Sequence, residues 1–146
     1  IDTELKVNDK TFRFIDTAGV RRKRAVADQS IERYSVLRSF HAIDRSDIVI
    51  LMVDASEGYT EQDKKIVGYA HEAGKGILVL VNKWDLIDKG NRTYREWQDR
   101  FYQEFPFLRY AMLEMISVLE NSRVSKIIPM LETIDQNRAR RIPNGQ

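Results

Sequence analysis

Three short polar segments carry residue types that can bind phosphate, magnesium or a purine base, and each follows an apolar stretch. In the first, residues 16–19 read Asp-Thr-Ala-Gly. A carboxylate such as Asp16 can hold Mg²⁺ directly or through a water molecule, and a glycine such as Gly19 lets a backbone N–H approach a phosphate closely. A plain turn at the end of a strand would explain the same residues, so this segment alone leaves both interpretations open.

The second segment, residues 82–85, reads Asn-Lys-Trp-Asp. Asp85 offers two acceptor oxygens to a pair of adjacent N–H donors, and guanine presents such a pair at N1 and its exocyclic amine. The pairing edge of adenine presents an acceptor beside a donor and fits badly. Asn82 can tie neighbouring loops together, and the aliphatic stem of Lys83 can lie over a base. The order and distance of the two segments favour guanine binding over a capped turn.

The third segment is Ser-Val-Leu at residues 117–119, directly after a weaker apolar stretch. A loop in this place could close over a base with its backbone N–H groups. By itself it indicates no more than a turn.

Apolar patterns predict the strands that must position these segments. Strands are expected at residues 11–16, 48–53, 77–81 and 111–116, and residues 2–7 are expected to pair with 11–16 as a hairpin. The stretches at 48–53 and 77–81 are continuous apolar runs, which are typical of parallel strands covered on both faces.

Helical spacing predicts four helices among these strands. They are one from a cap at Ser30 to about His41, one from a cap at Thr60 to about Ala73, one from a Thr93–Glu96 capping box to about Glu104, and one marked by residues 124–134. Pro129 fits the last helix only near its first turn or at a kink. Alternating strands and helices predict an α/β fold, in which ligands bind at the carboxyl ends of parallel strands.

The composition is that of an ordinary globular chain. Its 146 residues suit one domain, and 24 Lys+Arg against 22 Asp+Glu give a net charge of +2, which neither requires nor excludes a nucleic acid partner. The absence of Cys and the isolation of His41 and His71 argue against a disulfide framework and a zinc site. No apolar run of about 18 residues occurs, so we expect no membrane span and a cytoplasmic protein.

Longer stretches around the polar segments resemble a known family. Residues 16–23 (Asp-Thr-Ala-Gly-Val-Arg-Arg-Lys), 31–38 (Ile-Glu-Arg-Tyr-Ser-Val-Leu-Arg) and 81–85 (Val-Asn-Lys-Trp-Asp) resemble the second GTPase domain of the bacterial Der (EngA) family. Shorter matches extend the resemblance over almost the whole chain, at residues 42–45, 61–63, 72–74 and 140–143. Members of this family are tandem GTPases with a C-terminal KH-like domain, and they assist assembly of the large ribosomal subunit.

The resemblance implies a three-layer, P-loop GTPase-like α/β fold (a G-domain), with a mostly parallel sheet and one antiparallel hairpin. Residues 1–137 would form a partial G-domain, and residues 138–146 would begin a linker to a following domain. The implied cofactors are GTP or GDP with Mg²⁺. The implied partners are the large ribosomal subunit or its RNA, a sister GTPase domain and a KH-like domain.

The resemblance also assigns roles near the phosphates. Asp16 would hold Mg²⁺ through water, the Gly19 amide would meet the γ-phosphate as the catalytic group, and residues 20–30 would form the second switch loop. Val20 stands where many regulatory GTPases have a water-orienting Gln. The resemblance therefore implies another way to position the water, commonly a monovalent cation or a partner.

At the base, the family resemblance assigns guanine selection to Asn82 and Asp85, with Lys83 flanking the ring and Ser117 supporting the base loop. The family usually reads Ser-Ala-Leu-Thr-Gly in that loop, whereas residues 117–121 here read Ser-Val-Leu-Glu-Asn. Val118 adds two methyl groups beside the amide that would approach the guanine oxygen, and Glu120 adds a negative charge. Val118 still provides the backbone N–H donor at this position.

One family motif is absent from these 146 residues: no Gly-x-x-x-x-Gly-Lys-[Ser/Thr] phosphate-binding loop occurs. In the family it lies just upstream of the first residue here, on the central strand of the sheet. We therefore expect the first strand and the P-loop to be missing from this chain, strand edges at 11–16 and 48–53 to be unpaired, and the chain alone to be inactive or nearly so. The alternative function is a nucleotide-independent module that docks on RNA or on another domain.

Overall fold

The computed structural model describes residues 2–7, 9–15, 29–86, 93–118, 121 and 123–144. The chain forms two compact units, Ile1–Ser46 and Asp47–Gln146. Among the described residues, no helix is both long enough and apolar enough to cross a bilayer.

Among its described residues, the first unit contains a hairpin and one helix. Strand β1 (Asp2–Val7) pairs antiparallel with β2 (Lys10–Ile15), with Asp2 opposite Ile15 and Val7 opposite Lys10. This confirms the hairpin predicted from the sequence. Asp9 between the strands has a positive φ of 70°, a conformation that Asp tolerates better than most residues.

Helix α1 (Gln29–Asp44) follows in the same unit. The predicted cap at Ser30 is wrong, because Ser30 lies inside the helix. The apolar periodicity begins only at Ile31, but the first turn of a helix needs no apolar residue, so the pattern places the start too late. After α1, Ser46 donates to the carbonyl oxygen of Ile43 from both its backbone N–H (3.0 Å) and its hydroxyl (2.8 Å).

The second unit is built on a parallel sheet with the strand order β3-β4-β5. Its strands are β3 (Ile48–Asp54), β4 (Gly76–Asn82) and β5 (Met112–Met115). The register places Ile48 beside Gly76, Asp54 beside Asn82, and Val81 beside Met115. The α/β class, with a parallel sheet and one antiparallel hairpin, is therefore confirmed.

The helices of the second unit are α2 (Glu61–Glu72), α3 (Thr93–Glu104) and α4 (Ile127–Asn144). Short 3-10 turns accompany them at Trp84–Leu86, Pro106–Leu108 and Val124–Lys126. The predicted cap of α2 is confirmed. The Thr60 hydroxyl accepts from the Asp63 N–H (3.1 Å), and the Asp63 carboxylate accepts from the Thr60 N–H (2.9 Å), which is a complete capping box.

The last helix accommodates Pro129 as its third residue, where the missing N–H would lack a helical partner in any case. Helix α4 continues to Asn144. Residues 138–144, expected to begin a linker, are therefore helical, and their role as a connection to a following domain stays a prediction.

Strand β4 is the centre of the core. Its residues from Gly76 to Val81 are all buried, as the continuous apolar run predicts. A Cβ on Gly76 would lie 2.5 Å from Cγ2 of Ile134, so one face of the strand meets α4 directly. The alternate residues Val79 and Val81 point to the opposite face and are fully buried there, so both faces of β4 are covered.

Candidate functional site

The carboxyl ends of the three parallel strands bring polar residues to one edge of the sheet. Strand β3 ends at Asp54, β4 ends at Asn82, and Ser117 follows β5 two residues after Met115. Because the strands are parallel and Asp54 is the register partner of Asn82, these side chains belong to the same edge.

Two side-chain hydrogen bonds join the segment after β4 to the segment after β5. The Val118 N–H donates to Oδ1 of Asn82 (3.0 Å), and the Ser117 hydroxyl donates to Oδ1 of Asp85 (2.6 Å). The backbone adds a third link, from the Trp84 N–H to the carbonyl oxygen of Ile116 (3.1 Å). The structure thus brings together Asn82, Asp85, Ser117 and Val118. The bonded pair Asp85–Ser117 is 32 positions apart in the sequence, and the pair Asn82–Val118 is 36 positions apart.

Lys83 sits between Asn82 and Asp85 in the left-handed region, with φ of 64°. This conformation costs a non-glycine residue roughly 1 kcal/mol or more, so the surrounding contacts must stabilise it. The Lys83 ammonium lies 2.8 Å from Oδ2 of Asp54, which fixes the side chain across the ends of β3 and β4.

Asp54 also shapes the turn after β3. Its Oδ1 accepts from the Ser56 N–H (2.9 Å) and from the Ser56 hydroxyl (2.6 Å), as expected for an aspartate that forms a turn. Burial raises the pKa of Asp54, but the hydrogen bonds from Lys83 and Ser56 outweigh burial and set the pKa at about 2. The hydrogen bond to Asp54 in turn raises the pKa of Lys83, so both groups are charged at neutral pH.

An aromatic cluster fixes the turn that carries Asp85. The Trp84 ring meets the Trp97 ring of α3 edge to face, with centroids 6.0 Å apart, and Trp97 meets Tyr59 at 5.6 Å. Trp97, Phe101 and Phe105 are buried, so these rings pack in the core. Tyr94 and Phe107 are 40% and 43% exposed, and the Phe107 ring packs against His71 of α2 with centroids 4.9 Å apart.

Asn121 lies in a turn after Ser117, where the sequence differs from that of the resembling family. Asn121 has a positive φ of 55°, at the position where the family that this chain resembles usually has Gly. Next to Gly, Asn is among the residues that best tolerate this conformation. Its N–H donates to the carbonyl oxygen of Val118 (3.2 Å). The Val118 side chain is 57% exposed, so its extra methyl groups do not fill the space between its amide and Asn82.

The unused atoms of this cluster define what it can bind. Within the described part of the chain, Oδ2 of Asp85 has no partner, and the Asp85 carboxylate can accept N–H groups from a flat ring. Asn82 must present its oxygen to the Val118 N–H, so its amide nitrogen is left to donate. A carboxylate with one unused oxygen and a nearby amide donor suit the edge of guanine.

Two assigned residues, Asp16 and Gly19, lie outside the described residues together with residues 20–28 of the expected switch loop, and their roles stay predictions. Over the described ranges, no group of three or more His, Asp or Glu side chains is placed to hold a metal ion. Sequence reasoning missed the Lys83–Asp54 ion pair, although both strands end in a polar residue and a parallel register would have brought them together.

Solved structures define the class of fold. The chain superposes on Era in complex with MgGDPNP and nucleotides 1506–1542 of 16S ribosomal RNA with a TM-score of 0.71 and 19% identity, covering 89% of this chain and 42% of that one. It superposes on translation elongation factor SelB from Methanococcus maripaludis in complex with GPPNHP with a TM-score of 0.73 and 17% identity, covering 93% and 28%. The architecture is therefore that of a P-loop GTPase G-domain.

Sequence comparison then gives the family. Residues 1–83 match the family described as "50S ribosome-binding GTPase", and the chain belongs to that family. GTPase Der of Lacticaseibacillus casei is 44% identical over 145 residues, and GTPase Der of Halothermothrix orenii is 47% identical over 145 residues. The match covers 99% of this chain but spans only a third (33%) of each of these relatives.

Proposed function

We propose that this chain is the guanine-nucleotide-binding domain of a GTPase that assists assembly of the large ribosomal subunit. The observation that carries the proposal is the pair of hydrogen bonds joining Asn82 to Val118 and Asp85 to Ser117. These bonds hold a carboxylate, an amide and a backbone donor at the carboxyl edge of a G-domain sheet. Membership of a GTPase family supports the same assignment.

Asp85 supplies the selection of guanine over adenine. Its carboxylate accepts the N1–H and the exocyclic amine of guanine, whereas adenine turns a lone pair at N1 toward the same oxygens. Because a site built to accept hydrogen bonds leaves a buried polar group unpaired with the wrong base, discrimination of this kind is large. The Ser117 hydroxyl orients the carboxylate for this contact.

Asn82 supplies a contact that both purines can make. Its amide nitrogen can donate to N7, which is an acceptor in guanine and adenine alike. Its oxygen holds the Val118 amide, the donor expected to meet the guanine oxygen. That amide therefore has to share its hydrogen between Asn82 and the base, or exchange one for the other.

Phosphate and magnesium chemistry in this proposal belongs to residues outside the described ranges. Asp16 would hold Mg²⁺ through water, and the Gly19 amide would donate to the γ-phosphate. When bound, Mg²⁺ neutralises charge on the phosphate oxygens. Val20 cannot orient the attacking water, so we assign that task to a monovalent cation or to a partner.

The ribosomal role rests on the family and on one neighbour. The family is described as binding the 50S ribosome, and the Era structure holds a fragment of 16S ribosomal RNA. For this chain we propose the large ribosomal subunit or its RNA as the partner. A sister GTPase domain, a KH-like domain and a cytoplasmic location complete the proposal.

Competition binding tests the proposed function. The protein as encoded by its gene is titrated with a fluorescent GDP analogue in the presence of Mg²⁺, and unlabelled GDP, GTP, ADP and ATP are added as competitors. We expect GDP and GTP to displace the analogue at concentrations at least about a hundredfold below those of ADP and ATP.

Two outcomes would contradict this expectation. Equal competition by ADP and GDP would remove the guanine assignment of Asp85. Failure to bind any nucleotide, with binding to ribosomal RNA intact, would favour the second candidate, a nucleotide-independent docking module.

A further inference from the structure

The turn between α3 and β5 directs two aromatic rings into solvent. The Leu108 N–H donates to the carbonyl oxygen of Phe105 (2.9 Å), and the Ala111 N–H donates to that of Leu108 (3.0 Å), so two turns of the 3-10 type follow each other. Because this geometry repeats every three residues, Phe105, Leu108 and Ala111 share one face, and all three are buried. Phe107 and Tyr110 lie on the other face, and they are 43% and 42% exposed.

His71, in the last turn of α2, joins these two rings. Its ring centroid lies 4.9 Å from that of Phe107 and 5.8 Å from that of Tyr110, and its Nδ1 shares a hydrogen bond with the Tyr110 hydroxyl (3.0 Å). The buried Phe105 ring supports Phe107 from within, with centroids 6.4 Å apart. His71, Phe107 and Tyr110 therefore form one surface cluster, the aromatic patch, whose rings are held in place by contacts within the chain. Exposed apolar clusters of this kind mark interaction sites.

A cation adjoins the aromatic patch. Arg109 is exposed, and its guanidinium carbon lies 5.8 Å from the centroid of the Tyr102 ring of α3. Among the ion pairs of the described residues, none involves Arg109. Glu72, the neighbour of His71 in the sequence, is an exposed carboxylate. An anionic group on a ligand should therefore meet the patch on the side of Arg109.

The aromatic patch and the candidate base site lie at opposite edges of the sheet. The turn that carries two of the patch rings leads into the amino end of β5, whereas Ser117 follows the carboxyl end of that strand. Two more cations belong to this amino-terminal edge. Lys75 directly precedes β4, and the side chain of Arg138 reaches the first residue of that strand. The edge thus presents aromatic rings and positive charge together.

This combination fits single-stranded RNA. Exposed aromatic faces stack on nucleobases of any sequence, and a nearby arginine pairs with the phosphate backbone. The bases of a duplex are already stacked on one another, so a duplex would use the cations and leave the rings unused. An acidic protein segment would use both features as well, but the partner proposed above is ribosomal RNA, which favours the nucleic acid.

We propose that the aromatic patch, together with Arg109, is a site on which one or two bases of single-stranded ribosomal RNA stack. The identity of the RNA rests on the proposed function, whereas the stacking rests on the rings and the cation. Because the patch lies at the other edge of the sheet, RNA bound there does not compete with a nucleotide at the candidate base site.

Photochemical cross-linking tests where the bases lie. The protein as encoded by its gene is irradiated with an oligouridylate of about twelve nucleotides in which 5-bromouridine replaces uridine, and the cross-linked peptides are identified by mass spectrometry. Bromouracil couples to aromatic side chains on which it stacks. We expect cross-links at Phe107, Tyr110 or His71, and none at Tyr94, which is similarly exposed (40%) near the other end of α3.

Equilibrium binding of the unbrominated oligouridylate measures what each ring contributes. Phe107→Leu and Tyr110→Leu keep an apolar side chain but remove a ring, so each should weaken binding at least about fivefold. Tyr110→Phe keeps the ring and should bind within about twofold of wild type. Tyr94→Leu is the matched control and should change nothing. Circular dichroism checks that each variant is folded.

Salt dependence separates the cation from the rings. Arg109→Gln should reduce the slope of log K against log salt concentration by about 0.7, the value for one phosphate contact on a single strand. Phe107→Leu should weaken binding without changing that slope. GDP binding should be the same in wild type and in both variants, because neither residue belongs to the candidate base site.

Three results would overturn the stacking site. They are unchanged RNA affinity in both leucine variants of the patch, an equal loss of affinity in Tyr94→Leu, and a loss of binding to purified 50S subunits in Phe107→Leu with RNA affinity intact, which would assign the patch to a protein partner.

The same experiments separate this site from the proposed function. If the wild type binds RNA and no patch variant weakens it, the stacking site fails while the ribosomal RNA partner stands. If the wild type binds RNA at the patch but binds no GDP, the guanine assignment fails while the stacking site stands. If the wild type binds no RNA, the stacking site and the RNA partner both fail.

Discussion

At the scale of single residues, Asp54 connects the turn after β3 to the segment that carries Asp85. One of its oxygens holds Ser56, and the other holds the Lys83 ammonium at 2.8 Å. Lys83 needs such a partner because its backbone is left-handed. The carboxylate of Asp54 therefore stabilises the local geometry of the candidate site.

Asp54→Asn tests this contribution to stability. The variant retains an oxygen for Ser56 but loses the charge that faces Lys83. We expect the free energy of unfolding at neutral pH to fall by about 1 kcal/mol, a discounted value because the Lys83 side chain is half-exposed. Urea unfolding monitored by tryptophan fluorescence measures it.

The stability that Asp54 contributes decreases as the pH falls. Because the pKa of Asp54 is lowered from 3.8 to about 2, its stabilising effect is complete above the unfolded value and is lost as the pH falls toward 2. The difference between wild type and Asp54→Asn should therefore shrink between about pH 4 and pH 2. The exposed Asp99 of α3 provides the control, and an equal loss in Asp99→Asn would contradict the account.

Residue types alone predict part of the candidate site. Asn82, Asp85 and Ser117 were recognisable because their chemistry suits guanine and they follow predicted strands. The positive φ of Arg123 and its pairing with Glu114 were not recognisable, because neither residue type predicts a left-handed backbone and the pair depends on the exact path after Ser117. The resemblance to a family also could not show that Asn121 would have a positive φ.

At the scale of elements, the contact between β4 and α4 sets where the sheet meets its covering helix. Gly76 starts β4 directly under α4, and any Cβ there would lie 2.5 Å from Cγ2 of Ile134 and 3.1 Å from Cδ of Arg138. Ile134 is buried and β-branched, so it cannot turn aside without strain. A glycine is needed at position 76 because a side chain there would keep α4 from packing this closely on β4.

Gly76→Ala and Gly68→Ala form a matched pair that tests this packing. We expect Gly76→Ala to lower the free energy of unfolding by about 1–3 kcal/mol through overpacking. Gly68 lies within α2 with no atom near the position of an added Cβ, so Gly68→Ala should raise stability by about 0.5–1 kcal/mol. Chemical denaturation of the two variants measures both, and a neutral Gly76→Ala would contradict the close contact.

Strands and helices with a clear hydrophobic or capping pattern can be predicted from the sequence. The residues at which they begin and end are harder to predict. The apolar runs gave β3 and β4 nearly to the residue, and the Thr60 cap gave the start of α2. The start of α1 was misjudged at Ser30 because a good capping residue can equally occupy the first turn. The end of α4 was misjudged because a basic, proline-containing tail has the composition of a linker yet continues the helix to Asn144.

At the scale of the whole molecule, the hairpin and the parallel sheet are separate hydrogen-bonded sheets. Across the described ranges, β2 is bonded only to β1, and β3 only to β4. The expectation that the strand edges at 11–16 and 48–53 are unpaired stays a prediction. Such edges favour association with any further strand that a longer chain supplies.

The domain as a whole is proposed to select guanine nucleotides through Asp85, and the variant Asp85→Asn tests this selectivity most directly. The Ser117 hydroxyl donates to Oδ1 of Asp85, so the amide of the variant should keep its oxygen on Ser117 and place its nitrogen where Oδ2 stood. A nitrogen there repels the exocyclic amine of guanine but donates to the carbonyl oxygen that xanthine carries at the same position.

The measurement is equilibrium binding of GDP and of xanthosine diphosphate to wild type, to Asp85→Asn and to the control Asp99→Asn, using the protein as encoded by its gene. We predict that Asp85→Asn weakens GDP at least about a hundredfold and strengthens xanthosine diphosphate by a similar factor, while Asp99→Asn changes neither. If Asp85→Asn binds the two nucleotides as the wild type does, Asp85 does not read the base, and the account of this site is wrong.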